Sequence, residues 1–418
     1  MEYRIKDISL ADRGKKKIEW AESNMPVLLS LKNKYEESKP LRNVVVGGCL
    51  HVTKETAVLT KTLAAAGAKI AWSGCNPLST NDDIAASLVR DEELSVFASR
   101  GVSTSEYYED IYSVLKFNPD ITIDDGADLT IEFHKAFDKY GKNIAGGTEE
   151  TTTGVLRLKA LEKTSKLSYP IVAVNDAETK HDFDNVYGTG QSALDGIIRA
   201  TNVLLAGKSV VVAGYGHVGK GIASRARGLG ASVVVTEIDP INALKARMDG
   251  FIVAPMEEVA SIGDLFITST GCKDVIIGSH VENMKNGVIL ANAGHFNVEI
   301  SIEDIKGLAK NSKHVNENVE QYILRNDAKI NVIGEGRLVN LVAAEGHPSE
   351  VMDMSFANQF LSVLKLVKNK GNFENKIYEI DRDQDLLIAS LKLEAMGIKI
   401  DKLSDVQYKY LSEYGEGT

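Results

Sequence analysis

Residues 209–221 read SVVVAGYGHVGKG. Val210, Val211, Val212 and Ala213 make the short apolar run of a strand buried on both faces, and Gly214, Gly216 and Gly219 follow in G-x-G-x-x-G spacing. The first glycine permits a tight turn, the second lets backbone approach a pyrophosphate, and the third lets the next helix pack on the sheet. That helix, starting near His217 and Val218, offers free N–H groups and its positive dipole end to phosphate. A second predicted strand, residues 231–236, ends in Glu237. An acid about 20 residues beyond the glycines binds ribose hydroxyls and repels the 2′-phosphate of NADP. The stretch therefore predicts an NAD site at the head of a doubly wound sheet.

Outward from this stretch, apolar runs alternate with amphipathic helices: NVVVGG (43–48) and a helix over 54–66, KIAWSG (69–74) and 81–89, ITIDDG (121–126) and 129–139, NIAGG (143–147) and 152–164, then PIVAVND (170–176). Alternation of this kind means a parallel sheet with helices on both faces. A helix containing residues 191–205 leads to the glycine stretch, and later runs at 265–268 and 288–291 continue the second sheet. The predicted class is α/β, with two doubly wound parallel-sheet domains and a short C-terminal tail. Residues 1–180 and 346–385 form the discontinuous first domain, 181–345 the inserted Rossmann domain, and 386–418 the tail.

The 418 residues are 44% hydrophobic, ordinary for a chain that buries a sizeable core. A formal charge of −10 argues against nucleic acid or an anionic membrane as partner. Cys49, Cys75 and Cys272 form no C-x-x-C pair, so neither a disulfide framework nor a zinc site is expected, and no metal is assigned. No apolar run reaches membrane-helix length and the N-terminus lacks a signal-peptide core, which predicts the cytoplasm.

In open α/β sheets ligands bind beyond the carboxyl ends of the strands. Polar residues gather there: His51, Thr53, Glu55 and Thr56 after the first run, Asp124 and Asp125 after the third, Glu149, Glu150 and Thr151 to Thr153 after the fourth, and Asn175, Asp176, Lys180, Asp184 and Asn185 after the fifth. The second sheet adds His295, and the returning segment adds Asn340 and His347. Each has a bland alternative: a structural histidine, an Asx turn at Asp124-Asp125-Gly126, a helix cap at the threonines, an exposed i,i+4 ion pair for Lys180 and Asp184. Their convergence on the glycine stretch favours a cleft. Lys180 beside Asp184 and Glu150 could take a hydroxyl proton during hydride removal, and His51 with Asp125 remains as a further acid–base pair. That surplus suggests an oxidation used to activate a neighbouring carbon.

The motifs GCLHVTKET (48–56), IDDGADLT (123–130), EETTTG (149–154), VNDAETKHDFDNVYGTG (174–190), VAGYGHVGKG (212–221), TEIDPINAL (236–244), ANAGHFNVEI (291–300) and EGRLVNLVAAEGHPSEVMDMSFANQ (335–359) resemble the S-adenosylhomocysteine hydrolases over nearly the whole chain. The resemblance implies reversible cleavage of S-adenosylhomocysteine to adenosine and homocysteine, with tightly bound NAD, one per subunit. It implies 3′-oxidation with Lys180 accepting the proton, C4′ deprotonation by Asp125, elimination assisted by His51 as acid, water addition and re-reduction, with Glu150, Asp184 and His295 completing the catalytic set. Substrate contacts fall to Thr53, Glu55, Glu150, Lys180, Asp184, His347 and Met352. Cofactor contacts fall to Thr151, Thr152, Thr153, Asn185, Gly214, Gly216, His217, Val218, Gly219, Glu237, Asn242, Thr270, Gly294 and Asn340.

The resemblance further implies a homotetramer whose tail reaches a neighbouring subunit's NAD. Thr189 stands where many members carry cysteine, and the ending SEYGEGT is shorter than the usual tail, leaving Lys409, Tyr410 or Tyr414 as candidates for that contact. A 2-hydroxy-acid-type dehydrogenase, an NAD-sensing homologue without turnover, and the same hydrolysis of S-inosylhomocysteine are the competing readings.

Overall fold

The structure, a computed structural model, describes residues 2–415. Its strands in chain order are β1 (Val45–Cys49), β2 (Lys69–Ser73), β3 (Ser95–Phe97), β4 (Ile121–Asp124), β5 (Gly146–Glu149), β6 (Ile171–Ala173), β7 (Ser209–Ala213), β8 (Ser232–Thr236), β9 (Ile252–Val253), β10 (Leu265–Thr268), β11 (Val288–Asn292), β12 (Ala309–Asn316), β13 (Val319–Leu324), β14 (Lys329–Ile333) and β15 (Ile377–Tyr378). The first sheet runs β15-β6-β5-β4-β1-β2-β3 and the second β12-β13-β14-β11-β10-β7-β8-β9. The first is parallel throughout, and the second is parallel from β14 to β9, with β13 and β12 extending it as an antiparallel hairpin. Both contain the doubly wound 3-2-1-4-5-6 order, whose strand order reverses between β1 and β4 in one sheet and between β7 and β10 in the other.

Apolar clusters cover both faces of each sheet. On the first, Leu28, Leu59, Trp72 and Phe360 pack on one side and Ile111, Phe133 and Tyr169 on the other. On the second, Val210, Val212 and Ile222 face one way and Val211, Phe266 and Leu290 the other. Each fully buried aliphatic side chain contributes roughly 1.5–3 kcal/mol. The helix Ser349–Lys368 returns to the first domain and places Phe356, Ala357 and Phe360 in its core. Among the described residues, no helix is long and apolar enough to cross a membrane.

Several boundaries move. The predicted run 143–147 becomes β5 at Gly146–Glu149, because parallel pairing aligns Ile121 with Gly146 and Asp124 with Glu149. A Cβ on Gly147 would stand 2.3 Å from Thr122 Oγ1, so only glycine fits that register. The helix predicted over 129–139 breaks at Ala136 into Asp128–Lys135 and Phe137–Tyr140. The helix reaching Leu205 stops at Thr201, where Asn202 turns left-handed at φ 51°. The strands β3 and β15 and the β12–β14 hairpin carry no clear run in the sequence.

The tail boundary at 385 falls inside the helix Arg382–Ala395, which packs on the first domain through buried Ile388. Its Asp385 accepts the backbone N–H groups of Glu178 at 2.8 Å and Thr179 at 3.0 Å, and Lys392 reaches Asp353 at 2.8 Å. The exposed tail helix is therefore only Asp405–Ser412. The last residues of the predicted tail, 416–418, lie outside the described residues.

Candidate active site

One cavity of about 960 Å³ lies between the two switch points. Its far wall is the glycine loop. Gly214 takes φ +93°, open to glycine, and a Cβ on Gly219 would meet the Gly214 carbonyl oxygen at 1.9 Å. Gly219 thus makes the helix-to-strand contact, the third role the glycine spacing predicts. Gly216 has nothing within 4 Å of a hypothetical Cβ, leaving room for a phosphate group. His217, Val218, Glu237, Asn242, Thr270, Gly294 and Asn340 all line this wall, with Thr151, Thr152, Thr153 and Asn185 opposite.

These residues fit NAD. Asn340 Nδ2 donates to Ser192 Oγ at 3.2 Å, while its Oδ1 is buried without a hydrogen-bond partner. Such an orphaned acceptor costs free energy unless a ligand donor, such as a carboxamide, meets it. Glu237 accepts from the backbone N–H groups of Tyr215 at 2.6 Å, Ile238 at 2.7 Å and Asp239 at 3.0 Å, which fixes its carboxylate at the end of β8.

The near wall carries the charges. Lys180 and Asp184 sit four residues apart, but across the entry to a π-helical turn (His181–Gly188), and both are almost fully buried. This excludes the exposed ion pair. Lys180 Nζ lies 3.0 Å from Asp184 Oδ2, 3.0 Å from Asn185 Oδ1, 3.4 Å from Asn175 Oδ1 and 3.9 Å from Glu150 Oε1. Burial alone would lower the Lys180 pKa, but Asp184 and Glu150 outweigh it and raise it. Burial would raise Asp184, yet His347 and Lys180 hold it well below the usual carboxylate range. Glu150 is pushed up to about 7, chiefly by burial and also by Asp184, with Lys180 opposing. His347 touches Asp184 through Nδ1 and Thr189 Oγ1 at 3.0 Å through Nε2, so both ring nitrogens are engaged in this chain.

A second group sits at the ends of β1 and β4. His51 Nε2 is 3.4 Å from Asp125 Oδ2, and His295 Nδ1 is 3.5 Å from Asp125 Oδ1. Burial drives the His51 pKa down to about 4, with His295 and His347 acting the same way and Asp125 only partly opposing. The ring is therefore neutral at pH 7. Asp124 is the Asx brace the turn requires: it accepts from the N–H groups of Asp125 at 3.0 Å and Thr130 at 2.6 Å. That leaves Asp125 facing the cavity. Thr53 caps the helix Lys54–Ala65 and also lines the cavity, two roles that are compatible. Glu55 accepts from Ser349 Oγ at 2.6 Å, and Met352 lines the same end.

Sequence reasoning missed the residues that hold these groups. Ser355 and Gln359, one turn apart on Ser349–Lys368, donate to the two oxygens of Glu150, Gln359 at 2.6 Å. Ser79 Oγ and Cys75 Sγ lie 2.6 and 3.2 Å from His51 Nδ1. Glu299 accepts from Thr270 N–H at 3.0 Å and Gly271 N–H at 2.8 Å, and a Cβ on Gly294 would meet it at 1.9 Å. The i,i+4 spacing of Ser355 and Gln359 was the one available signal; the others are joined only by the fold.

A glycine-loop Rossmann domain facing an acid–base cluster across a shared cavity defines an NAD-dependent enzyme. Residues 185–346 match the family described as "S-adenosyl-L-homocysteine hydrolase, NAD binding domain", and residues 2–140 match "S-adenosyl-L-homocysteine hydrolase". The chain belongs to the S-adenosyl-L-homocysteine hydrolase family. It is 56% identical over 416 residues to the S-inosyl-L-homocysteine hydrolase of Methanocaldococcus jannaschii. It is 54% identical over 419 residues to the adenosylhomocysteinase of Saccharolobus solfataricus and 53% identical over 418 residues to that of Aquifex aeolicus. In all three comparisons the match covers 100% of each chain.

Proposed function

We propose that the protein hydrolyses S-adenosyl-L-homocysteine reversibly to adenosine and L-homocysteine. NAD, when bound, takes up and later returns a hydride at the ribose. The observation that carries this reading is the buried Lys180–Asp184–Glu150 cluster on one wall, with His51, Asp125 and His295 beside it and the glycine loop opposite.

Lys180 meets the 3′-hydroxyl and can accept its proton only after releasing its own, and Glu150, pushed up to about 7, is the neighbouring carboxylate most able to take it, since Asp184 is held ionised. Asp184, held ionised, keeps Lys180 oriented. With C3′ at the ketone level the C4′ hydrogen becomes acidic, and Asp125 removes it. The C5′–S bond then breaks with its electron pair on sulfur, and His51 supplies the proton that makes homocysteine. Because the His51 ring is neutral, Asp125 replaces that proton across their 3.4 Å gap. Water adds at C5′, a proton returns to C4′, and Lys180 gives back the hydroxyl proton. Elimination beside a ketone avoids displacing a thiolate directly.

The base end favours adenine through Glu55, an acceptor for an exocyclic amine. Hypoxanthine is the second reading: Lys54 Nζ stands 3.3 Å from Glu55 Oε1, a donor for a 6-oxo group, and one close relative bears the S-inosyl name. Purified protein given adenosine and homocysteine without added NAD should form the thioether, and faster than with inosine. Net reduction of free NAD by a small hydroxy acid, with no thioether formed, would instead identify a dehydrogenase.

A cytoplasmic homotetramer completes the proposal. The tail helix Asp405–Ser412 supports it by exposing Val406, Tyr408, Tyr410 and Leu411, an apolar surface suited to another copy. Sedimentation of full-length protein and of a chain ending at residue 396 tests this.

A further inference from the structure

His181 and Asp182 follow Lys180 at the start of the π-helical turn, and His217 opens the helix His217–Gly228 on the cofactor side. The two elements pack backbone to backbone, since a Cβ on Gly221 would stand 2.1 Å from the Val186 carbonyl oxygen. Their side chains are therefore brought together by fixed scaffolds. Asp182 Oδ1 lies 3.4 Å from His181 Nε2 and 3.4 Å from His217 Nε2. The two imidazole centroids are 4.4 Å apart at an interplanar angle of 49°.

Both N···O separations exceed the roughly 2.7–3.2 Å of an N–H···O hydrogen bond, so three polar atoms converge without bonding to one another. Around a tetrahedral ion with bonds of about 2.1 Å, ligand atoms stand about 3.4 Å apart. The ligand atoms of all three residues lie within 4.8 Å of one another. Burial lowers the His217 pKa, with His181 pushing the same way and Asp182 opposing, and the net direction favours the neutral ring that ligates metal.

We propose that His181, Asp182 and His217 form a site for one divalent first-row cation of the zinc type. Two imidazoles with one carboxylate select such an ion over magnesium or calcium, which prefer all-oxygen sets. The side chains are 23%, 54% and 50% exposed, respectively, so the ion has an entry path and water completes its coordination. An ion held there clips the segment carrying Lys180 and Asp184 to the helix that follows the glycine loop. No cysteine motif announces this site, because its ligands come from two elements joined only by the fold.

The test uses untagged, full-length protein with its cofactor as purified, stripped of metal. Co²⁺ is titrated with visible absorption as readout and Zn²⁺ by calorimetry. One ion per chain is expected, with H181A and D182N each weakening binding at least about 10-fold. Zn²⁺ should raise the thermal midpoint of the wild type and leave that of H181A unchanged. Asp182 is exposed and His181 half-buried against His217, and without metal the midpoint of D182N should match the wild type. His51, Cys75 and Asp125 form the one other candidate group among the described residues. Binding that survives H181A and D182N but is lost in C75S overturns the proposal, as does a wild-type protein that takes up neither ion.

Discussion

At the switch point of the second sheet, β7 and β10 end in Gly214, Gly216, Ser269 and Thr270, and the nearby acids Glu237 and Glu299 are satisfied by backbone N–H groups. At the switch point of the first, β1 and β4 end beside His51, Asp124 and Asp125, and the adjoining β5 and β6 lead to Glu149, Glu150 and Lys180, nearly all of them buried. There the charged groups face one another, and their pKa values are driven apart in the manner of a catalytic site. Two sheets of one topology thus do opposite work. Topology decides where a ligand sits, and the residues at the strand ends decide whether it is held or transformed.

The largest expected effect tests the charged side. Lys180→Ala should lower kcat by about 10³–10⁴-fold while the cofactor still copurifies, measured by absorbance of the released dinucleotide. Loss of the cofactor as well would make the charged wall a holding surface and break the contrast. Asp125→Asn should lower kcat by about 10²–10⁴-fold and, on rapid mixing with adenosine, still show the absorbance of reduced cofactor. Absence of that signal would remove Asp125 from the step after oxidation.

On the holding side, Gly219→Ala drives a methyl group into the Gly214 carbonyl. Overpacking of this kind costs about 1–3 kcal/mol, so the thermal midpoint and the copurified cofactor should both fall. Unchanged values would mean that the loop tolerates a wider helix-to-strand gap.

His51 supplies a pH test. Above its ordinary 6.5 the ring is neutral in folded and unfolded chain alike. As pH falls from 6.5 towards about 4, only the unfolded chain gains the proton, and the folded state loses up to about 3 kcal/mol. His51→Gln should remove that loss in denaturant titrations at pH 7 and pH 4.5. Glu150 runs the other way: its contribution is complete below 4.5 and is lost as pH rises through about 7. The smallest effect belongs to Asp239, which accepts the Asn242 N–H at 2.8 Å at a helix start. Asp239→Ala should cost about 1 kcal/mol by urea melt.

The glycine stretch and the polar strand ends made the parallel centres of both sheets and the charged wall of the cavity legible, because a continuous apolar run followed by glycine or charge has few other readings, whereas Asn242, Thr270, Gly294 and Met352 were reached only through the resemblance and Val253 to Glu257, Ser269 and Leu338 not at all. What stayed hidden shares one cause. The strand β12 is almost wholly exposed and carries no alternation. Ser355, Gln359, Ser79 and Glu299 act through partners far away in sequence, which no local period encodes. The His51 ring, expected to serve as an acid, is neutral because of burial that only the folded cavity creates.

One helix, Ser349–Lys368, touches both ends of the substrate space: Ser349 holds Glu55, while Ser355 and Gln359 hold Glu150. At 1.5 Å per residue, those grips lie about 9–15 Å apart along a rigid rod. The rod is also made late. The ribosome releases β1 to β6, then the entire cofactor sheet, before the helix that seats Phe356 and Phe360 in the first core exists. The core of the first domain and the grips on its substrate wall are thus closed by a segment that follows the whole cofactor sheet in the chain.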